Sequence, residues 1–232
     1  MIRVQNIQAL FIKQTKDILK NTPVLVLFLV YPVIAFIMTN AMKDQVGSGS
    51  FFLSIFATMH CAFSPIVATT SILSEEKENN TLRVLIMSNV TLREYFVSVG
   101  GFILITTLVS GSSFLLIADK SPYDCLIFMV AMGVGSILSI ILGTCIGLYA
   151  KNASAANGLA VPCGMFFAFL PMLAYFNKGI GSISKFTYGQ QISYLFDKGE
   201  ISIFGILVIC CNAIILGVLA SILYKKSLAE ET

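Results

Sequence analysis

Apolar residues fill six long stretches of this chain, approximately Thr22 to Met42, Phe51 to Leu73, Tyr95 to Ala118, Cys125 to Ala150, Ala153 to Phe176 and Ile201 to Tyr224. Each is at or above the roughly 20 residues that a helix needs to cross the hydrocarbon core of a bilayer. None contains Asp, Glu, Lys or Arg. Because a spanning segment must satisfy its own backbone, the pattern predicts an all-α membrane protein of six transmembrane helices, a single domain over residues 1–232.

The intervening segments carry patterns of their own. Over residues 1–20, Val4, Ile7, Phe11 and Ile18 alternate with Lys13, Lys16 and Lys20, which suits an N-terminal interfacial helix, its lysines turned to anionic lipid. The first apolar run exceeds a signal-peptide core and no small-x-small cleavage site follows, so this segment is expected to be retained. Asn177 to Glu200 sets Ile180, Ile183, Phe186, Tyr188, Ile192, Tyr194, Leu195 and Phe196 among glycines, serines and lysines. It is therefore amphipathic and expected on the outer surface, with Tyr188 and Tyr194 in an interfacial belt.

The longest charged segment, Ser74 to Glu94, separates the second and third spans. Its carboxylates and lysine cannot sit in hydrocarbon cheaply, so it is expected to be a loop in water. Within it Leu82, Leu85 and Ile86 recur at helical spacing, and Asn79, Asn80 and Thr81 suit a helix start. Ser88 and Asn89 interrupt that helix. Thr91 with Glu94 three positions later reads as a capping box that opens the next one.

An even number of spans puts both termini on one side. Ten basic residues (Arg3, Lys13, Lys16, Lys20, Lys77, Arg83, Arg93, Lys151, Lys225 and Lys226) lie on the side of the termini, against Lys43, Lys120, Lys178, Lys185 and Lys198 on the other. The excess predicts that the termini and the charged loop are cytoplasmic. The fourth and fifth spans are joined by little more than Lys151 and Asn152, so they are expected to be antiparallel neighbours. Small residues at Ala131, Gly135, Ser139, Gly143 and Gly147 are expected to face those at Ala156, Ala160, Gly164 and Ala168.

Of the chain's 232 residues, 56% are hydrophobic and only 12% charged, against roughly 25% charged in an average soluble domain. The net charge of +3 is small and scattered, and no basic stripe with interleaved aromatics points to nucleic acid. All six cysteines fall in or beside apolar runs and are read as small hydrophobes rather than disulfide partners. With no Cys-x-x-Cys pair and a single histidine, no metal site is expected.

The order Glu76-Lys77-Glu78-Asn79-Asn80-Thr81-Leu82, then Leu85, then Ser88-Asn89-Val90-Thr91-Leu92-Arg93-Glu94, resembles the signature loop of permease subunits of the ABC-2 type transporter family. Asn80 stands where that pattern usually has glycine, Arg83 where it has glutamate and Asn89 where it has proline. Asn tolerates the left-handed backbone that would call for glycine, whereas Arg83 inverts a charge.

The resemblance implies a short cytoplasmic coupling helix docked in a groove of a separate ATPase, with Glu76, Glu78, Asn80, Thr81, Leu82, Leu85, Ile86 and Ser88 at the docking site. It also implies short outer helices between the fifth and sixth spans, a second permease copy or paralogue, and a bacterial cytoplasmic membrane. ATP and Mg would be bound by the partner chain, with no cofactor here and no catalysis. The work implied is export of a hydrophobic or amphipathic substrate: a drug, a peptide or a lipid-linked molecule.

The rest of the sequence bears on that expectation. No Gly-x-x-x-x-Gly-Lys-Ser/Thr phosphate loop occurs, and the spans lack the carboxylates that ion-coupled carriers use. His60, Thr69, Thr70 and Asn157 are the polar candidates for a substrate pathway. His60 reads equally as a hydrogen bond between helices. Two other readings are open. A membrane immunity or sensor protein would bind a peptide without moving it. An intramembrane protease of the CAAX type would use Glu75-Glu76, but Asn80 occupies the position of its arginine and its histidine motifs are absent.

Overall fold

The computed structural model describes residues 3–41, 50–88, 90–118 and 121–231, and about nine-tenths of the described residues are helical. The helices are α1 (Val4–Lys20), α2 (Thr22–Ala41), α3 (Ser50–Glu78), α4 (Thr81–Met87), α5 (Leu92–Gly111), α6 (Pro122–Tyr149), α7 (Ala153–Phe176), α8 (Lys178–Ser184), α9 (Tyr188–Lys198) and α10 (Ile203–Glu231), with a 3₁₀ turn over Ser112–Leu116. Among the described residues there is no strand. Six helices among the described residues, α2, α3, α5, α6, α7 and α10, are long and apolar enough to cross a membrane.

α3 is the centre of the bundle. Every residue from Ala57 to Ser74 is buried, and the neighbours α2, α5, α6, α7 and α9 pack around it. Its most apolar stretch has a mean hydropathy of 1.7, the lowest of the six, while α10, at 2.8, has the highest and is the least buried. The order follows from the solvent. Lipid tails are as apolar as leucine, so nothing drives a purely apolar helix inward, whereas Ser54, Thr58, His60, Ser64, Thr69, Thr70 and Ser71 on α3 need partners that lipid cannot give.

The small-residue stripes serve this centre rather than each other. A Cβ added at Gly143 would sit 2.6 Å from the Ile66 carbonyl oxygen, one at Gly147 2.9 Å from Leu73, and one at Gly164 3.0 Å from Phe63, all on α3. Gly135 likewise faces Cys61 of α3 and Ile192 of α9. The expected pairing of α6 with α7 is thus corrected: both stripes let their helices approach α3, and the short Lys151-Asn152 link lets α6 and α7 lie on either flank of it.

One boundary and two side-chain orientations also differ from expectation. α3 runs without a break through Pro65 and on to Glu78, so Ser74 to Glu78 is the last helical turn of a 29-residue helix, about 43 Å long, rather than loop. Lys13, expected to face lipid, turns inward to Glu76. Tyr188, expected in an interfacial belt, is fully buried: its hydroxyl and Ser139 Oγ are 2.9 Å apart and its ring stacks on Phe167. α9 is amphipathic as expected, but Tyr188, Ile192 and Phe196 insert into the bundle instead of resting on its surface.

Ser54 near the start of α3 approaches the Ser193 carbonyl of α9, while α4 follows directly from the other end of α3. α9 and α4 therefore mark opposite ends of the bundle. Both chain ends gather at the α4 end: the Arg3 N–H donates to Glu94 Oε1 (2.6 Å), and the rings of Phe96 and Tyr224 lie 6.1 Å apart.

Candidate functional site

The site is the polar junction at the α4 end, where α3, α4 and α5 follow one another and α1, α6 and α7 converge. Its backbone is set by two local devices. Asn80 takes a left-handed conformation (φ 56°), which ends α3 and redirects the chain; its carbonyl accepts the Val84 N–H at 3.2 Å to open α4. Thr91 and Glu94 form a reciprocal capping box: Thr91 Oγ1 accepts the Glu94 N–H and Glu94 Oε2 accepts the Thr91 N–H. Between them Ser88 Oγ donates to the Val84 and Leu85 carbonyls and closes α4.

Glu76, Lys77, Glu78 and Glu94 are engaged within the molecule itself. Glu76 is 7% exposed, and its Oε1 accepts from Lys13 Nζ (2.5 Å) and Gln14 Nε2 (2.9 Å) of α1. Thr81 Oγ1 donates to the Glu76 carbonyl at 3.0 Å, tying the first turn of α4 to α3. The Tyr95 hydroxyl lies close enough to this carboxylate to interact with it, without meeting hydrogen-bond geometry. A cleft of about 280 Å³ opens beside these groups, bounded by Lys13, Asp17, Glu75 and Asn79.

Lys77 and Glu78 act on two helix ends at once. Lys77 Nζ donates to the carbonyls of Gly147 (3.4 Å), Leu148 (3.0 Å) and Ala150 (3.0 Å), the unsatisfied acceptors at the C-terminus of α6. Glu78 Oε2 accepts the N–H of Ala153 at 2.8 Å, the first residue of α7. Each charge matches the dipole of the helix end it meets, positive at a C-terminus and negative at an N-terminus. Glu94 also reaches α1, accepting from the Arg3 N–H just before it and from Asn6 Nδ2 within it (3.1 Å).

Of the apolar residues expected to face a partner, Leu82 is 2% exposed and packs with Leu10, Ile18, Ile72 and Tyr95, and Leu85 is half-buried against the same cluster. That face looks into this molecule, because α4 is too short to stand free of α3 and α5. Ile86 lies in α4, but its side chain is outside the described residues, as is Asn89. What α4 presents outward is Arg83, Val84 (61% exposed) and Met87 (78% exposed), flanked by Asn80, Thr81 and Ser88.

The four pathway candidates are not brought together. His60 is buried where α3 meets α5; its Nε2 lies 3.2 Å from the Thr107 carbonyl and 3.1 Å from Ser110 Oγ, with Phe28, Tyr31 and Phe114 around the ring. Thr70 Oγ1 donates to the Gly143 carbonyl of α6 (3.0 Å), and Asn157 Oδ1 of α7 accepts from Ser71 Oγ (2.8 Å). His60 Nδ1 and Thr69 Oγ1 are buried without a hydrogen-bond partner among the described residues. His60, Thr70 and Asn157 thus take part in joining α3 to three different neighbours, in keeping with the interhelical reading of the histidine.

Among the described residues no group of three His, Cys, Asp or Glu side chains converges as a metal site. No local pattern marks the inward use of Lys13, Lys77 and Glu78, because their partners lie 63, 70 and 75 positions away along the chain. No protein-family model matches this chain, and no curated protein matches it either.

Proposed function

We propose that this chain is the membrane subunit of an ATP-driven exporter of the ABC-2 type, and that α4 docks on a separate ATPase subunit. One observation carries the reading: α4 is a seven-residue helix with exposed apolar side chains, held at its base by α1, α3 and α5. A push on Val84 and Met87 passes through Thr81 and Leu82 to α3, and through α3 to every helix packed on it. ATP and Mg belong to the partner in this reading, and α1 is the interfacial elbow that braces the junction through Glu76 and Glu94. Two copies or paralogues form the path, the junction faces the cytoplasm, and the cargo is a hydrophobic or amphipathic molecule.

In this reading the apolar contact is made by Val84 and Met87, in place of Leu82 and Leu85 among the residues that the resemblance implies. Full burial of an apolar side chain of this size contributes about 1.5 to 3 kcal/mol, so contact through Val84 and Met87 rests on few groups. Val84→Asp combined with Met87→Asp is expected to abolish co-purification with an ATPase encoded by a neighbouring reading frame, and to abolish substrate-stimulated hydrolysis, with membrane insertion unchanged. Full association of the doubly substituted chain would overturn the assignment of α4. Leu85→Asp discriminates less well, because Leu85 also packs inside the junction.

A further inference from the structure

A groove of about 610 Å³ opens between α5, α6 and α10 at the α4 end of the bundle, beside the junction just described. Its walls include Val97 of α5, Ile141 and Leu148 of α6, and Tyr224 of α10, and along α6 it extends from Ile140 to Leu148, about 12 Å of rise. Two cations, Arg93 and Lys225, stand at its mouth. Both are exposed, and neither makes an ion pair or hydrogen bond among the described residues. Among the described residues no carboxylate lines the groove, and the nearby Glu94 is engaged by Arg3, Asn6 and Thr91.

We infer that this groove holds an anionic phospholipid, one acyl chain along α6 and the phosphate between Arg93 and Lys225. An apolar channel that ends in two unshared positive charges is complementary to a molecule with a long apolar tail and a negative head. The volume falls in the range of roughly 300 to 1,000 Å³ typical of ligand sites. The position fits the depth of a headgroup, since Arg93 and Lys225 stand at the charged ends of α5 and α10 where their apolar runs begin and stop. A zwitterionic lipid fills the channel but gains nothing net from the two cations. The inference is independent of any ATPase partner.

The test is native mass spectrometry of the purified chain after exposure to equal amounts of phosphatidylglycerol and phosphatidylcholine. Wild type is expected to retain the former preferentially. Arg93→Gln with Lys225→Gln should lower phosphatidylglycerol retention about thirtyfold, from roughly 1 kcal/mol per basic residue, and leave phosphatidylcholine unchanged. Ser221→Phe, at an exposed position on the groove wall, should lower retention of both lipids, and Lys178→Gln with Lys185→Gln at the other end should alter neither. Equal retention of the two lipids by wild type, an equal loss in the two double variants, or unchanged retention by Ser221→Phe would each overturn the inference. So would disulfide-linked dimers through a cysteine placed at Val97, seen with no phosphatidylglycerol bound, because a second copy would then occupy the groove.

Discussion

Lys77 and Glu78 are adjacent on α3, yet each serves a different helix end. An ammonium that satisfies three terminal carbonyls of α6 replaces water that the bundle excludes, so its removal leaves acceptors buried and unpaired. Lys77→Met is expected to lower stability by about 1.5 to 3 kcal/mol, the range for hydrogen bonds to a charged group, read from denaturant unfolding in detergent. Lys151→Met, at an exposed neighbouring position, should stay within about 0.5 kcal/mol. Equal effects would mean that Lys77 contributes general charge rather than a cap. Asn80 illustrates the complementary case, a backbone angle rather than a charge: its φ of 56° is a region that β-branched residues avoid.

At the scale of the elements, the helices approach α3 only as closely as their small residues allow. Gly143→Ala would bring a methyl group to 2.6 Å from the Ile66 carbonyl, a backbone atom with no rotamer to yield, and α6 must then move off α3. The expected cost is about 1 to 3 kcal/mol, the range for overpacking a filled core. Gly158 in α7 and Gly217 in α10 have nothing within 4 Å of the corresponding point. Alanine there should be neutral or stabilising by up to about 1 kcal/mol through helix propensity alone. Unfolding midpoints of the three variants separate these outcomes, and equal values would remove the close α3–α6 contact as a source of stability.

At the scale of the whole molecule, the termini and α4 lie at one end and α8 with α9 at the other, with α3 as the shaft between them. Cysteines placed singly at Asn80 and Ser182, in a chain lacking the native six, are expected to react with an impermeant maleimide from opposite faces. Ser182 should label in intact cells and Asn80 only after permeabilisation, as the excess of basic residues at the α4 end predicts. Labelling of both from one face would contradict the six crossings.

The order of residues determined the number and approximate positions of the six apolar helices, the capping box of Thr91 and Glu94, and the short helix that starts at Thr81. These are local: caps and left-handed turns depend on neighbours within a few residues, and a run of about twenty apolar side chains is a helix in lipid whatever packs beside it. The centrality of α3 was half legible, since its polar residues and low mean hydropathy mark it as the helix with most to satisfy. Only the tertiary structure decided which neighbour meets each face. A transmembrane helix is apolar on the side that faces lipid and on the side that faces protein, so periodicity does not mark the inner stripe. For the same reason the amphipathic pattern of α9 did not tell whether Tyr188 met a bilayer surface or Ser139 and Phe167. The Leu82 and Leu85 spacing likewise fitted a partner's groove and the molecule's own core equally well. Lys13 found Glu76 across 63 positions because folding of α1 against the end of α3 placed a buried carboxylate within its reach.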